Sequence, residues 1–352
     1  MFPLRFPKGV LEGRAEPGDV VLDPFCGRGT TNYASRLLGL PTFGVDSNPV
    51  AVALSQAKLA NVTPDEIVAE AERILSERHC PARMPRGDFW DLAYHPEVLD
   101  AVCRLREGLL SDALRDVGVA LRAVVLGALH GPQPKVQAPT YLSNQCQRTY
   151  APKPRYAVKF WRNKGMVPKQ VDVLDVIKMR AVRYYGSESS VGRGAIRLGD
   201  SRDATCLRSL MGDRRARWVI SSPPYYGLDT YFPDQWLRYW FLGGPETVDY
   251  RSPGQLDHHS PRTYVAQLRH VWRNTAAVCA PHARLVVRFG GIRDRKAEPL
   301  ALVTASLRDS GWNLQSIRSA GTASRGKRQA HQFPGTPSSS VEEYDVWARL
   351  CS

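Results

Sequence analysis

Short apolar runs alternate with helical patterns in the first and last parts of the chain. The runs predicted as strands are 19–23, 42–46, 195–200, 217–221, 284–289, 313–318 and 342–349. Helical segments separate them and are predicted to begin near Thr31, near Pro49 and at about 260 and 297. Strands that alternate with helices in this way predict a parallel, doubly wound α/β sheet.

The pattern becomes mainly helical in the middle of the chain. Thr63-Pro64-Asp65-Glu66 has the form of a helix capping box, in which a threonine and a glutamate cap the first turn. The helices predicted in this region are 64–78, 96–110, 112–130 and 171–185. A connection of this length is too long for a compact domain. We therefore predict one α/β domain, residues 1–61 and 194–352, with a helical insertion at 62–193.

Composition narrows the class of partner. Lysine and arginine number 48 against 34 aspartates and glutamates, and the net charge of +14 favours a polyanion such as nucleic acid. The seven cysteines show neither a CxxC pair nor zinc-ligand spacing, so no metal is predicted. Their odd number, without a signal-peptide pattern, predicts reduced thiols in a cytoplasm. No apolar run approaches the ~20 residues of a membrane span.

The first candidate motif, Asp23-Pro24-Phe25-Cys26-Gly27-Arg28-Gly29-Thr30-Thr31, follows the first predicted strand. Its glycines allow a tight turn and close approach to a ligand, and the next helix directs free N–H groups toward that ligand. The loop lacks the Lys-Ser/Thr of a phosphate-binding P-loop. Asp23 would repel a phosphate but attract a sulfonium or amino group. Asp46, at the end of the second strand, is placed to accept both hydroxyls of a ribose.

The second candidate motif, Ser221-Ser222-Pro223-Pro224-Tyr225-Tyr226-Gly227, follows another predicted strand. The exocyclic amine of cytosine or adenine is a poor nucleophile because its lone pair is delocalised into the ring. Ser222 Oγ and the Pro223 carbonyl oxygen can accept hydrogen bonds from the amine protons and so turn that lone pair toward a methyl group. The two prolines stiffen the loop, and Tyr225 can stack on a base that has left the duplex. Transfer by direct displacement then depends on positioning and requires no metal or covalent intermediate.

The first motif closely resembles motif I of the amino-group DNA methyltransferases. Phe2-Pro3-Leu4-Arg5-Phe6-Pro7 resembles the segment of that family that packs on the methionine part of the cofactor. The resemblance implies S-adenosylmethionine as cofactor and a Rossmann-like class I methyltransferase sheet of about seven strands, the last one antiparallel. Gly199-Asp200-Ser201 resembles the position that contacts the adenine amine, although Asp200 also suits a helix N-cap. The cofactor-binding residues implied are Phe6, Asp23, Phe25, Gly27, Gly29, Thr30, Asp46, Ser47, Asp200 and Ser201.

The second motif resembles the Ser/Asp/Asn-Pro-Pro-aromatic sequence of the same family. It implies catalytic roles for Ser222, Pro223, Pro224 and Tyr225. The serine form is typical of N4-cytosine enzymes, the Asp and Asn forms are typical of N6-adenine enzymes, and the Pro-Cys dipeptide of C5-cytosine enzymes is missing from this chain. We therefore expect a sequence-specific DNA methyltransferase that flips a cytosine and methylates its N4 amine. N6-adenine methylation, RNA guanine-N2 methylation and non-catalytic nucleic-acid binding stay open.

The chain departs from many N4-cytosine enzymes because its cofactor motif comes first and a long helical segment separates the two motifs. Basic and aromatic residues in that segment suit contacts to phosphates and bases, so we predict that it recognises the target; a structural helical lid is the alternative. The candidate DNA contacts are Lys153, Arg155, Tyr156, Lys159, Trp161 and Arg162, with Arg325, Lys327 and Arg328 in a later loop. The expected partner is double-stranded DNA in a bacterial cytoplasm, where the protein would associate with the nucleoid. A cognate restriction endonuclease is compatible with this class, but the chain itself does not indicate one.

Overall fold

Two compact units make up the part of the chain that the computed structural model describes. The described residues are 2–110, 114–132, 139–145, 153–187, 190–227, 232–248, 256, 260–291, 298–322 and 342–351. The first unit, called here the sheet unit, comprises residues 1–55, 190–230 and 253–352. The second, called the helical unit, comprises residues 56–189 and 231–252.

A seven-stranded sheet forms the centre of the sheet unit, in the order β3-β2-β1-β4-β5-β7-β6. The strands are β1 (Val21–Asp23), β2 (Thr42–Asp46), β3 (Gly194–Leu198), β4 (Ala216–Ser221), β5 (Cys279–Gly290), β6 (Trp312–Thr322) and β7 (Glu342–Leu350). The ladders from β3 to β5 are parallel, whereas β7 runs antiparallel to both β5 and β6. This is the predicted Rossmann-like class I methyltransferase fold, with its last strand antiparallel.

Helices connect these strands and fill the middle of the chain. They are α1 (Arg5–Leu11), α2 (Thr30–Leu37), α3 (Pro49–Ala57), α4 (Pro64–Glu77), α5 (Asp88–Ala93), α6 (Pro96–Gly108), α7 (Asp116–Ala128), α8 (Pro154–Asn163), α9 (Val173–Tyr185), α10 (Ala204–Met211), α11 (Trp236–Phe241), α12 (Pro261–Ala276) and α13 (Pro299–Leu307). A 3-10 turn at Phe232–Gln235 precedes α11. Within the described residues, no helix combines the length and apolar character that crossing a membrane requires.

The central strands are buried on both faces, which explains their continuous apolar runs. Val21, Trp218 and Ile220 belong to one buried cluster, which also contains Phe6 and Leu11 of α1. Leu22 and Val219 belong to the cluster on the opposite face, together with Tyr264, Leu268 and Trp272 of α12. Successive side chains of a strand point to opposite faces, so a single apolar strand supplies both clusters.

Local capping fixes where several helices begin. The Thr63 backbone N–H donates to the Glu66 carboxylate at 2.7 Å, and the Glu66 N–H donates to the Thr63 hydroxyl at 3.3 Å, which confirms the predicted capping box of α4. Ser260 caps α12 in a similar way, since its hydroxyl accepts the Thr263 N–H at 3.0 Å. The helices α1, α5, α8, α10 and α11 were not predicted; they are short or lie in proline-rich sequence.

An aromatic cluster forms part of the core of the helical unit. The Phe89 and Trp236 ring centroids lie 4.8 Å apart, and those of Trp90 and Trp240 lie 4.6 Å apart. Trp236 and Trp240 belong to residues 231–252, which the sequence analysis places in the α/β domain. These residues lie instead in the helical unit, because the tryptophans of α11 pack against α5.

Candidate active site

The loop after β1 turns tightly at its two glycines. Gly27 has φ +52° and Gly29 has φ +69°, backbone conformations that favour glycine. The Cys26 N–H donates to the Val45 carbonyl oxygen at 3.0 Å, and the Gly29 N–H donates to the Cys26 carbonyl oxygen at 2.7 Å. The loop is therefore fastened to β2 and leads directly into α2, whose first residue is Thr30.

Ser55 of α3 supports this loop, although no sequence motif marked it. Its hydroxyl donates to the Gly27 carbonyl oxygen at 2.7 Å, and the residue is fully buried. A Cβ atom on Gly29 would lie 2.9 Å from Ser55 Oγ and 3.0 Å from Ser55 Cα. Gly29 is thus required both by its backbone conformation and by the close approach of α3.

The carboxylate of Asp46 holds the loop from the end of β2. Its Oδ2 accepts the Gly27 N–H at 2.8 Å, and its Oδ1 accepts the Asn48 N–H at 2.9 Å. Burial raises the pKa of Asp46, while these two backbone hydrogen bonds lower it. A carboxylate oxygen can accept more than one hydrogen bond, so both oxygens keep acceptor capacity for a ligand. Ser47 lies in the bend that follows Asp46.

Asp23 lies fully buried at the end of β1. It accepts the Phe25 N–H at 3.1 Å and the Ser221 hydroxyl at 2.5 Å, both at Oδ1. Burial raises the pKa of Asp23 to about 6, and the hydrogen bond from Ser221 opposes that shift. The Phe25 ring packs edge-on against Trp272, with centroids 6.3 Å apart. Asp23 therefore links the two candidate motifs through Ser221, a residue of the second motif to which no role was predicted.

The Ser222–Tyr225 loop is held by side chains from other elements. The Tyr264 hydroxyl donates to the Pro224 carbonyl oxygen at 2.6 Å. The Tyr225 hydroxyl donates to Oε1 of Glu343, a buried residue of β7, at 2.8 Å. The Tyr225 ring also packs against Phe289 of β5, with centroids 5.3 Å apart. These contacts fix the backbone and the aromatic ring of the loop.

Ser222 and Pro223 lie in the same loop, directly after β4. Ser222 is half-buried and Pro223 is buried. Among the residues that the structure describes, none forms a hydrogen bond with the Ser222 hydroxyl. The role of the Ser222 oxygen as an acceptor stays a prediction.

The end of β3 reaches the same edge of the sheet. The Ser201 hydroxyl donates to the Pro24 carbonyl oxygen at 2.7 Å, and Asn274 Nδ2 donates to the Ser201 carbonyl oxygen at 3.0 Å. Both Asp200 oxygens accept hydrogen bonds from the Arg202 guanidinium. The N-cap interpretation of Asp200 is wrong, because Asp203 caps α10 by accepting the Thr205 N–H at 2.8 Å.

Two other residues near the first motif are buried. Cys26 is 4% exposed, and burial raises the pKa of its thiol well above the ordinary range. A protonated, enclosed thiol agrees with a packing role. Phe6 is 7% exposed, and the Arg288 guanidinium lies 3.7 Å from its ring centroid. Its contact with a cofactor stays a prediction.

The candidate DNA contacts in the helical unit centre on α8. Lys153, Arg155, Tyr156 and Lys159 are exposed. Trp161 was predicted to contact DNA, and the structure corrects that prediction. Its side chain is 1% exposed and its Nε1 donates to the Gln145 carbonyl oxygen at 2.8 Å, so it is a core residue.

The remaining candidate contacts differ in what the structure shows of them. Arg162 is exposed and pairs with Asp88 at 2.8 Å. Arg325, Lys327 and Arg328 lie outside the described residues.

In the described ranges, no three His, Cys, Asp or Glu side chains are grouped so that they could hold a metal ion.

The N-terminal part of the chain matches a known protein family. Residues 1–57 match a protein family described as DNA methylase, of the N6 and N4 type. The matched part contains the glycine loop and Asp46, and it supports an amino-group DNA methyltransferase. It does not reach the Ser222–Tyr225 loop, so it does not separate the N4 from the N6 activity.

Solved structures with a similar arrangement share little sequence with this chain. An rRNA methyltransferase, aviRa, from Streptomyces viridochromogenes is 14% identical with a TM-score of 0.36, and the match covers 99% of this chain and 85% of that one. A SAM-dependent methyltransferase from Methanosarcina mazei is 8% identical with a TM-score of 0.38, over 100% and 98% of the two chains. TrmN from Thermus thermophilus is 11% identical with a TM-score of 0.35, over 99% and 49%.

Proposed function

We propose that the protein is an S-adenosylmethionine-dependent DNA methyltransferase that modifies the N4 amine of cytosine in double-stranded DNA. The observation that carries this proposal is the 2.5 Å hydrogen bond between Ser221 and Asp23. It joins the end of the strand that leads to Ser222 with the end of the strand that leads to the glycine loop. The two loops are thereby adjacent at one edge of the sheet, where open α/β sheets bind ligands, and this supports the roles proposed for them in holding the cofactor and the amine.

The residues at this edge fit the proposed cofactor. The glycine loop admits a ligand close to its backbone, and Asp46 keeps acceptor capacity for ribose hydroxyls beside its hydrogen bonds to Gly27 and Asn48. Asp23, when ionised, favours a positively charged ligand. When bound, S-adenosylmethionine supplies an electrophilic methyl group on a sulfonium.

The second loop prepares the amine. Ser222 Oγ and the Pro223 carbonyl oxygen accept hydrogen bonds from the two amine protons and draw the nitrogen toward tetrahedral geometry. Tyr225 offers an aromatic face for the flipped base, and Glu343 and Phe289 hold its ring in place. The protein thus contributes by positioning the flipped nucleobase and its amine nitrogen, which is the nucleophile.

The choice of cytosine depends on Ser222. In the family that the motif resembles, a serine at this position is typical of N4-cytosine enzymes and an acidic or amide residue is typical of N6-adenine enzymes. The N6/N4 family match is compatible with either base. Adenine N6 is accordingly the second candidate, and the product assay below distinguishes the two.

The helical unit is proposed to recognise the target. Lys153, Arg155 and Lys159 present positive charge beside the exposed ring of Tyr156, which is 63% exposed. Such a combination suits phosphate contacts and base contacts. With a net charge of +14, the chain suits double-stranded DNA in the bacterial nucleoid. A restriction endonuclease that cuts the same site is a further proposed partner.

Mass spectrometry of nucleosides tests the proposal directly. Purified protein is incubated with cofactor carrying a deuterated methyl group and with duplex DNA of mixed sequence, and in parallel with RNA. The proposal expects labelled N4-methylcytosine from DNA, formed at least ~100-fold more slowly by the Ser222→Ala variant. Labelled N6-methyladenine would move the assignment to the second candidate. Label in RNA alone, or in no nucleic acid, would overturn the proposal.

A further inference from the structure

A basic cleft lies in the sheet unit, formed by α1 with strands β5, β6 and β7. Its lining includes Phe6, a predicted cofactor contact, but none of the other candidate site residues. It encloses about 350 Å³, within the ~300–1,000 Å³ of typical ligand sites. The lining residues are Arg5, Phe6, Gly9, Val10, Arg14, Arg288, Arg318, Ala320, Asp345 and Trp347. The arginines of this cleft have no role in the proposed reaction.

The charge of the cleft is strongly positive. Four of the lining residues are arginines and one is an aspartate. That aspartate, Asp345, is paired with Arg288: its two oxygens accept hydrogen bonds from Nε and Nη2 of Arg288 at 2.7 Å each. The remaining three guanidinium groups face no further carboxylate among the lining residues. An anionic ligand suits this excess of positive charge.

Several of the arginines are held in place by their surroundings. Arg288 is fixed between Asp345 and the Phe6 ring, and Arg318 lies over the Trp347 ring with its guanidinium carbon 5.2 Å from the centroid. Arg14 donates to the Gly9 carbonyl oxygen at 2.6 Å. A guanidinium held in this way keeps further N–H donors in a fixed fork, a geometry that matches the oxygens of a phosphate.

The cleft shares its strands with the supports of the Ser222–Tyr225 loop. Arg288 precedes Gly290 by two residues on β5, and its register partner Asp345 follows Glu343 by two residues on β7. Residues two apart on a strand lie on the same face, about 6.6 Å apart. The Tyr225 hydroxyl donates to Glu343, whereas the Tyr225 ring packs against Phe289, whose side chain faces the opposite side of the sheet. Glu343 therefore connects the face that carries the cleft to Tyr225.

We propose that this cleft binds phosphodiester groups of the nucleic-acid substrate next to the target nucleotide. The inference rests on the proposed function, since that function supplies a polyanion whose target base must reach Tyr225. A flipped nucleotide stays joined to its neighbours through their phosphates, and arginines beside the catalytic loop would hold that backbone. Such contacts carry no sequence information; they set the register of the strand.

Salt-dependent binding measures this contribution. Arg5→Gln and Arg318→Gln, singly and together, are compared with Arg208→Gln, which removes the same charge from an exposed position on α10 outside the cleft. Fluorescence anisotropy follows binding of a labelled duplex by cofactor-free protein over a salt series. Each phosphate contact that is lost lowers the slope of log Kd against log salt by about one. In the double variant this salt slope should fall by roughly one to two, and the duplex should bind about tenfold more weakly. The Arg208→Gln variant should behave as wild type.

Calorimetry separates the alternative ligands. An unchanged slope in the double variant, with an unchanged thermal midpoint, would overturn the inference. Weaker cofactor binding with an unchanged slope would assign the cleft to the carboxylate of the cofactor instead. Binding of inorganic phosphate that the double variant loses, again without a change in slope, would assign it to a free anion. If wild-type protein binds no nucleic acid, the proposed function is overturned as well. If the protein methylates DNA but its salt slope does not depend on these arginines, only this inference is overturned.

Discussion

The Ser221 hydroxyl donates a 2.5 Å hydrogen bond to Asp23 Oδ1 and so joins the ends of β4 and β1. Both residues are buried, at 0% and 1% exposure. A hydrogen bond to a buried carboxylate partly replaces the water that the charge has lost. The bond therefore stabilises the ionised form of Asp23 and fixes the spacing between the two loops that the proposed reaction uses.

Replacement of Asp23 by asparagine should remove a pH dependence of stability. The folded pKa of about 6 exceeds the ordinary value of 3.8, so the folded state binds more protons than the unfolded state between these values. For this group alone, the free energy of unfolding should rise by about 1 kcal/mol as the pH falls from 7 to 5. Urea unfolding of wild type and Asp23→Asn at pH 5, 6 and 7 measures the difference. Parallel curves for the two proteins would contradict the prediction.

Two adjacent serines should separate catalysis from structure. Ser222→Ala removes the proposed acceptor for the amine protons, and we expect kcat to fall at least ~100-fold with unchanged cofactor affinity. Ser221→Ala is the matched control: it removes the hydrogen bond to Asp23, raises the pKa of that carboxyl further, and costs about 1–2 kcal/mol of stability at pH 7. Turnover assays and calorimetry on both variants provide the test. Normal turnover by Ser222→Ala would remove the catalytic assignment.

The hydrogen bond between Tyr225 and Glu343 should help to position the Tyr225 ring on which the flipped base stacks. Tyr225→Ala removes the stacking face, and we expect it to abolish transfer while cofactor binding persists. Tyr225→Phe keeps the ring but loses the 2.8 Å hydrogen bond, so kcat should fall by a smaller factor and stability by about 1 kcal/mol. Glu343→Gln keeps an acceptor for the hydroxyl and should resemble wild type. Equal activity of Tyr225→Ala and wild type would show that the ring has no role.

The sequence predicted the elements that local patterns determine. The strand 42–46 coincides with β2, and the capping box correctly marked the start of α4. In contrast, α8 was not predicted, because it lies in a proline-rich stretch between two predicted helices. Pro154 in fact occupies the first turn of the helix, where proline is favoured.

Long-range contacts explain what sequence reasoning missed at the site. Ser55 and Glu343 carry no motif, and they lie far along the chain from the glycine loop and from Tyr225 respectively. Only the packing of α3 and β7 brings them there. Trp161 shows the converse error: an aromatic residue between basic ones resembled a DNA contact, yet it is the buried side of an amphipathic helix.

Asp46 should contribute to cofactor affinity in two separable ways. Asp46→Ala removes both the proposed ribose acceptor and the 2.8 Å hydrogen bond that holds Gly27. Asp46→Asn keeps one oxygen acceptor and most of the side-chain volume. We expect calorimetry to show weaker cofactor binding for Asp46→Ala, by about tenfold or more, and an intermediate affinity for Asp46→Asn. Unaltered affinity in Asp46→Ala would refute the ribose role.

Two glycines with nearly the same backbone conformation allow the close packing of the cofactor loop to be measured. Gly29 and Gly39 have φ +69° and +68°, but an added Cβ meets Ser55 at 2.9–3.0 Å only at Gly29, and meets nothing within 4 Å at Gly39. Alanine at either position incurs the cost of the left-handed conformation, about 1–2 kcal/mol. Gly29→Ala also pushes the loop away from α3, whose backbone leaves no room for the methyl group.

Gly29→Ala should therefore lose more stability than Gly39→Ala, by a further 1–3 kcal/mol or so, as overpacked sites do. It should also lose cofactor affinity, because displacement of the loop disturbs the hydrogen bonds that Gly27 forms with Asp46 and Ser55. Gly39→Ala should keep wild-type affinity. Urea unfolding and calorimetry on the pair give both quantities. Equal losses of stability and equal cofactor affinity in the two variants would show that the contact with Ser55 does not constrain the loop.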